Sequence, residues 1–210
     1  MQILVKANSS QKASFAALPI AAHASIFWHD QDPDKQADAY FDLCYEEEGS
    51  AFSWVHHQPI FVNALTIDAG ALPENAIRIN GWNGFLERKI WELGNDHPNH
   101  RAKAQMVLNE LEQEYTWVPN EPGLVAARVI AMIVNEAFFA YGDAVSSKSD
   151  IDTAMKLGTN YPLGPFEWAD KIGLPKIWQL LKALEKENPR YQPAPELVRE
   201  TNALIQNPID

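Results

Sequence analysis

The sequence predicts an α/β layer followed by an all-α part. Two observations carry this. Up to about Val118, short apolar runs rich in β-branched and aromatic residues alternate with helix-like or turn-like stretches, the pattern of a sheet with helices on it. From Asn120 onward the apolar period is helical throughout. With 210 residues, 46% of them hydrophobic and 21% charged, the chain is large enough to bury a core, which excludes a disordered or fibrous molecule.

Taken in order, the predicted strands are Ile3 to Lys6, Ser25 to Trp28, Ala39 to Tyr45, Ile60 to Leu65, Ile77 to Asn80 and Tyr115 to Val118, several bounded by Pro or polar clusters. Between the last two, Ala104, Val107, Leu108 and Leu111 recur at i, i+3, i+4 and i+7, one apolar stripe on a helix over Asn99 to Glu114. Asn120 is read as the cap of a helix with Pro122 in its first turn, and Val125 to Phe139 is apolar almost all round, as a core helix must be. Ser149 and Asp152 stand in capping-box spacing before a helix over Asp150 to Leu157 that stops at Gly158. A further helix is expected from about Pro175 to Lys186, then an extended stretch, then a last helix from Pro195 to Gln206. The boundary between the two parts is set at residues 118 and 119.

The charge is −11, from 17 Lys and Arg against 28 Asp and Glu, so long-range attraction to nucleic acid or an anionic membrane is unfavourable, and neither is expected as a partner. The acidity sits mostly in the first part: residues 1–118 hold eight basic and 16 acidic side chains, residues 119–210 nine and 12. The single cysteine, Cys44, makes neither an internal disulfide nor a cysteine zinc site. No apolar run has the length of a signal peptide or a membrane span, and the chain is expected to be cytoplasmic.

One stretch is more specific. Asp150-Ile-Asp-Thr-Ala-Met-Lys-Leu-Gly158, then Tyr161-Pro-Leu-Gly-Pro-Phe-Glu-Trp-Ala-Asp170 and Ile172-Gly-Leu174, resembles the helical C-terminal domain of the 3-hydroxyacyl-CoA dehydrogenases. The resemblance extends upstream through Pro122-Gly123 and Asn135-Glu136-Ala137 and downstream through Tyr191-Gln-Pro-Ala-Pro195. Independently of it, two prolines around a glycine in Pro162-Leu-Gly-Pro-Phe166 force a sharp, rigid corner. The resemblance implies a Rossmann-like NAD-binding domain before the helical one, dimerisation through the helical domain, and hydride transfer between NAD and a 3-hydroxyacyl-CoA. In that reaction a His polarised by a Glu takes the hydroxyl proton.

The first part departs from what the resemblance implies. A dinucleotide-binding turn needs glycines so that backbone can approach the diphosphate at a helix N-terminus, yet no glycine precedes Gly49 and the first strand is followed by Ala7-Asn-Ser-Ser-Gln-Lys12. Asn8, Ser9 and Ser10 read as an ordinary helix cap. Only a short stretch precedes Ala39, so the adenine side of the sheet is expected to be abbreviated. By resemblance, Asn83 stands at the position of the family His, Glu92 lies in the segment that supplies the Glu, Asn63 keeps a substrate-side amide with Leu65 replacing a serine, and Ala127 replaces an active-site Asn beside a retained Arg128. Asn83 cannot act as a general base near neutral pH.

Other residue types do not restore the site. All six histidines precede residue 101. His29-Asp30 and His56-His57 fall where strand-end loops carry chemistry in open sheets, but adjacent residues of an extended segment point to opposite faces. His97 and His100 around Pro98 read as a solvated helix start rather than a metal site, Cys44 as a small core residue, and Glu46-Glu-Glu48 as a solvated strand end. Trp82 and Trp91 flank the degenerate stretch and are expected to narrow or fill the pocket there.

The resulting expectation is a dimeric relative of the 3-hydroxyacyl-CoA dehydrogenases that lacks efficient NAD-dependent hydride transfer, needs no cofactor and recognises an acyl-CoA or similar thioester. Glu92 and Asn83 are its candidate catalytic positions and Asn63 and Arg128 its candidate substrate contacts. Two alternatives stay open: an active NAD-dependent dehydrogenase with a non-standard site, and a dimeric protein-interaction module.

Overall fold

The computed structural model describes residues 1–206, which fall into two compact units that meet in sequence at Val125 and Ala126. In the first, five short strands form one parallel sheet: β1 (Gln2–Lys6), β2 (Ser25–Trp28), β3 (Ala39–Asp42), β4 (Ile60–Asn63) and β5 (Ala76–Ile79), in the order β2-β1-β3-β4-β5. The strands are rich in Ile, Val, Phe and Tyr, and β1, β3, β4 and β5 bury residues toward both faces, as a covered parallel sheet requires. Strand order reverses between β1 and β3, where Leu4 pairs with Tyr40 and Lys6 with Asp42. The six-stranded doubly wound order has three strands on each side of that reversal. Among the described residues the β2 side has two, β2 and β1.

Ile3, Val5, Phe41, Phe61 and Ile77 point to one face, covered by Phe15 of α1 (Ser9–Ala16) and by Ala104, Val107 and Leu108 of α3 (Pro98–Glu110). Leu4, Tyr40, Ile60 and Val62 point to the other, covered by Phe52 and Val55 from the connection that follows the single turn α2 (Tyr45–Glu48). Two further strands, β6 (Ile90–Leu93) and β7 (Glu114–Trp117), pair in parallel and join the sheet through an antiparallel bridge between Arg78 and Gly94. The β6 strand escapes sequence reading because Lys89 and Glu92 interrupt its apolar run. The strand expected over Ala39 to Tyr45 ends at Asp42, where the chain turns into α2.

In the second unit, α4 (Ala126–Gly142) packs against α6 (Pro165–Ile172), α7 (Leu174–Glu185) and α8 (Pro195–Gln206), with α5 (Lys148–Thr159) against α6. Four details differ from the sequence reading. Asn120 does not cap a helix: residues 119–125 pack within the first unit, and its side chain bonds Arg78 and Asp96 instead. Ser147, not Ser149, caps α5, and Asp152 serves another helix. The α5 helix runs through Gly158, because Asn160 takes the left-handed conformation at φ 56°. Pro165 is not only part of a corner but the first residue of α6, where a missing N–H costs nothing.

Candidate functional site

Open parallel sheets present chemistry beyond the carboxyl ends of their strands, at the point where strand order reverses. Here that place lies between β1 and β3 and is closed by hydrogen bonds. Asn8 caps α1 by accepting from the Gln11 N–H at 2.9 Å, and Gln11 Oε1 accepts in return from the Asn8 N–H at 3.0 Å. Gln11, 2% exposed, also donates through Nε2 to the carbonyls of Leu43 at 2.9 Å and Gly81 at 3.0 Å. Asn63, at the tip of β4, ties the same two segments: its Oδ1 accepts from the Gly81 N–H at 3.0 Å and its Nδ2 donates to Leu43 O at 3.4 Å. A Cβ at Gly81 would stand 2.9 Å from that of Asn63, so the close approach needs glycine there. Both the oxygen and the nitrogen of the Asn63 carboxamide are therefore engaged within the protein.

Beside this crevice lies a charged group at the tips of β1 and β3. Asp42 is fully buried, its Oδ2 accepts from the Ala51 N–H at 2.8 Å, and burial pushes its carboxyl up to about 6. Lys6, its neighbour across the strands, pairs with Glu48 at 3.0 Å. Cys44 is buried, and burial reinforced by Glu48 and Glu47 pushes its thiol up to about 11, so it is no nucleophile. The acidic run is not wholly solvated as expected: Glu46 turns inward and accepts from both the N–H and the hydroxyl of Thr66, and burial raises its pKa above the ordinary value. The one-turn helix α2 allows this, since it points Glu46 to the opposite side from a continued strand.

The resemblance directs attention to the stretch after β5. A small pocket of about 10 Å³ lies there, lined by Asn80, Phe85, Arg88, Ile90, Trp91 and Glu92. Glu92, on β6, accepts from the Val125 N–H at 3.1 Å. Asn80, 9% exposed, is the first residue beyond β5. Asn83 sits half-buried in the following turn and does not line the pocket. The structure thus brings Glu92 together with Asn80, not with Asn83. The signal that could have found it is the strand end itself, since a residue directly past a parallel strand's carboxyl end faces the crevice. Trp91 lines this pocket as expected, its Nε1 donating to Leu86 O at 3.1 Å, while fully buried Trp82 packs edge to face on Phe85.

The other predicted residues lie on other elements. Arg128 belongs to the second unit, on α4, with its guanidinium 5.9 Å from the Tyr191 ring centroid. His29 packs edge to face on Phe52, and burial lowers its pKa. His97 is the cap residue of α3 without a side-chain capping bond, its ring 6.1 Å from that of His100. Among the described residues no group of three or more His, Cys, Asp or Glu is placed to hold a metal ion. Nor is any helix among them long and apolar enough to cross a membrane.

Residues 123–204 match the family model for the 3-hydroxyacyl-CoA dehydrogenase C-terminal domain. The 3-hydroxybutyryl-CoA dehydrogenase of Clostridioides difficile is 39% identical over 137 residues, 62% of this chain and 48% of that protein. The 3-hydroxyadipyl-CoA dehydrogenase of Escherichia coli is 38% identical over 107 residues, 50% of this chain and 22% of that protein. The matched part thus spans less than half the length of either relative. Among solved structures, the (S)-3-hydroxybutyryl-CoA dehydrogenase of Ralstonia eutropha superposes with a TM-score of 0.70 at 17% identity, covering 96% of this chain and 93% of that one, a likeness of fold.

Proposed function

The chain belongs to the 3-hydroxyacyl-CoA dehydrogenase family through its residues 123–204, and from that premise we propose that it recognises an acyl-CoA or similar thioester without efficient NAD-dependent hydride transfer. One observation carries the reading: the polar side chains that share the pocket with Glu92 are the carboxamide of Asn80 and the guanidinium of Arg88, and neither is a base near neutral pH. An amide takes up no proton near neutral pH, so it cannot receive the proton that leaves a hydroxyl as its carbon gives up hydride. None of the six histidines lines that pocket. Its volume of about 10 Å³ is that of a single water, far below what a thioester and a nicotinamide ring need together.

The residues at the β1/β3 crevice do not suit a nicotinamide dinucleotide either. The Gln11 N–H in the first turn of α1 is turned to Asn8, and the side chain of Gln11 stands against Leu43 and Gly81. Cytoplasmic placement and assembly into a homodimer through the helical unit belong to the same proposal. Val129 and Phe139 on α4, 50% and 37% exposed, support the dimer as apolar surface that a second copy would cover.

The test is a pair of measurements on the purified chain. Acetoacetyl-CoA is expected to raise the melting temperature more than free CoA does, because a ligand bound only by the folded state stabilises it. Absorbance at the NADH band should stay constant when NADH and acetoacetyl-CoA are mixed with the protein. Oxidation of NADH above the uncatalysed background would restore the reading as an active dehydrogenase; no shift with either CoA compound would leave an interaction module.

A further inference from the structure

We infer that Gln11 is a built-in plug: its carboxamide occupies the crevice where a doubly wound sheet receives a ligand's diphosphate, and makes from within the chain the cross-links that such a ligand would make. A carboxamide has two N–H donors and an oxygen with two acceptor sites. At Gln11 all are engaged, the donors by Leu43 O at 2.9 Å and Gly81 O at 3.0 Å, the oxygen by the Asn8 N–H at 3.0 Å and Cys44 Sγ at 3.7 Å. Those partners come from the start of α1, the tip of β3 and the turn after β5, the segments that surround the β1/β3 reversal.

The polarity of the crevice follows. An anion-binding turn offers backbone N–H groups to the ligand. Here the N–H of Gln11 is spent on Asn8 Oδ1 and that of Gly81 on Asn63 Oδ1, while the groups facing Gln11 from β3 and from the turn after β5 are carbonyls. A phosphate entering in place of the carboxamide would meet two carbonyl oxygens, depriving that of Gly81 of its donor and leaving that of Leu43 only the 3.4 Å contact from Asn63. The crevice is satisfied as it stands and repels the ligand class its topology otherwise accepts.

This deepens the reading above and rests on it only for the identity of the displaced ligand. The variant Gln11→Met keeps the bulk of the side chain and removes its hydrogen bonds; Gln11→Ala removes both. We expect Gln11→Met to melt about 6 °C below the parent chain, since it leaves the Gly81 carbonyl and the Asn8 N–H without their partner and the Leu43 carbonyl with only the 3.4 Å contact from Asn63. In the parent chain the exposed Asn8 should have an amide that exchanges with solvent at least about tenfold more slowly than in an unstructured peptide, because its N–H is held by Gln11. Millimolar ADP should leave the parent melting temperature unchanged. A Gln11→Met chain that melts with the parent, an unprotected Asn8 amide, or a parent chain stabilised by ADP would each overturn the plug. Should both variants fail to fold, the exchange and ADP measurements on the parent chain still decide. None of these readouts involves acetoacetyl-CoA, so a failure of thioester recognition is separately visible.

Discussion

Oδ1 of Asp152 lies 2.3 Å from the point where a Cβ on Gly164 would stand, and the Cβ of Asp152 only 2.5 Å from it. The two residues are this close because Asp152, on α5, reaches across to the start of α6, where its Oδ1 accepts from the Phe166 N–H at 2.8 Å and its Oδ2 from the Glu167 N–H at 3.3 Å. Gly164 has φ −74°, an ordinary value, so it is required by space and not by backbone conformation.

Gly164→Ala should therefore destabilise the helical unit by about 3 kcal/mol through overpacking against a side chain that cannot move without uncapping α6. Guanidinium denaturation measures this. In an Asp152→Gly background, which removes the Cβ as well and is itself destabilised by about 1 to 3 kcal/mol from the unpaired Phe166 and Glu167 N–H groups and by about 1 kcal/mol for a glycine within α5, the added cost of Gly164→Ala should fall by more than half. Equal costs in both backgrounds would show that the contact is not the reason for the glycine.

Asp42 sets a pH dependence of a definite sign. Its carboxyl titrates at about 6 in the folded chain against 3.8 in the unfolded one, because burial penalises the charge more than the Ala51 N–H and Lys6 favour it. Folding thus prefers the protonated form: the contribution is fully present below pH 4 and is lost as pH rises through 6. Asp42→Asn, which keeps an acceptor for Ala51 and carries no charge, should stabilise the chain at pH 8 by about 2 kcal/mol. Unfolding curves at pH 8 and pH 4 should show that advantage vanish at the lower pH. A variant that is less stable than the parent at pH 8 would mean the carboxylate is stabilised there by partners stronger than its desolvation.

Much of the fold was legible in the sequence, and the misses share a physical cause. The strand runs and the last helix, Pro195–Gln206, follow from patterns that local burial imposes. Asn120, Asp152 and Gln11 were not legible because the same short polar side chains that cap helices also bond distant backbone, and spacing alone cannot tell which partner wins. Asn120 and Asp152 stand in plausible capping positions, yet the first binds Arg78 and the second the start of α6. Asn83 rests on resemblance alone; β5 ends at Ile79, and the residue that lines a pocket with Glu92 is Asn80, which spacing in a degenerate turn does not single out.

Cys44 should resist thiol reagents. Its burial and its thiol pKa of about 11 leave little thiolate at pH 8, and Sγ is directed to Gln11 Oε1. A free thiol at its ordinary pKa of about 8.5 is about two orders of magnitude richer in thiolate at that pH. Reaction with a chromogenic disulfide should accordingly be at least about a hundredfold slower in the native chain than in guanidinium. Comparable rates would show that the tip of β3 opens readily and that the Gln11 contacts do not hold it.

Arg78 is the largest buried charge in the first unit and explains why residues 119–125 stay with the sheet. It is 0% exposed in the middle of β5, donates through Nε to Asn120 Oδ1 at 3.0 Å and through Nη1 to Ala64 O, and lies in the field of Glu46, Asp68 and Asp96. Burial lowers its pKa to about 10, which still leaves it cationic at neutral pH. Asn120 passes the interaction on by donating to Asp96 Oδ2 at 3.0 Å, and the Gly123 N–H donates to Leu65 O at 2.7 Å beside it. Arg78→Met should cost about 3 kcal/mol, because it leaves Ala64 O and Asn120 Oδ1 without their donor and the acidic groups without their cation. Asn120→Ala should cost about 1 to 2 kcal/mol, and the double variant about 1 kcal/mol less than the two single costs together, since they break one shared contact. Strict additivity in urea unfolding would mean that Arg78 and Asn120 act separately, and that the segment before α4 is held to the sheet by Gly123 and its neighbours instead.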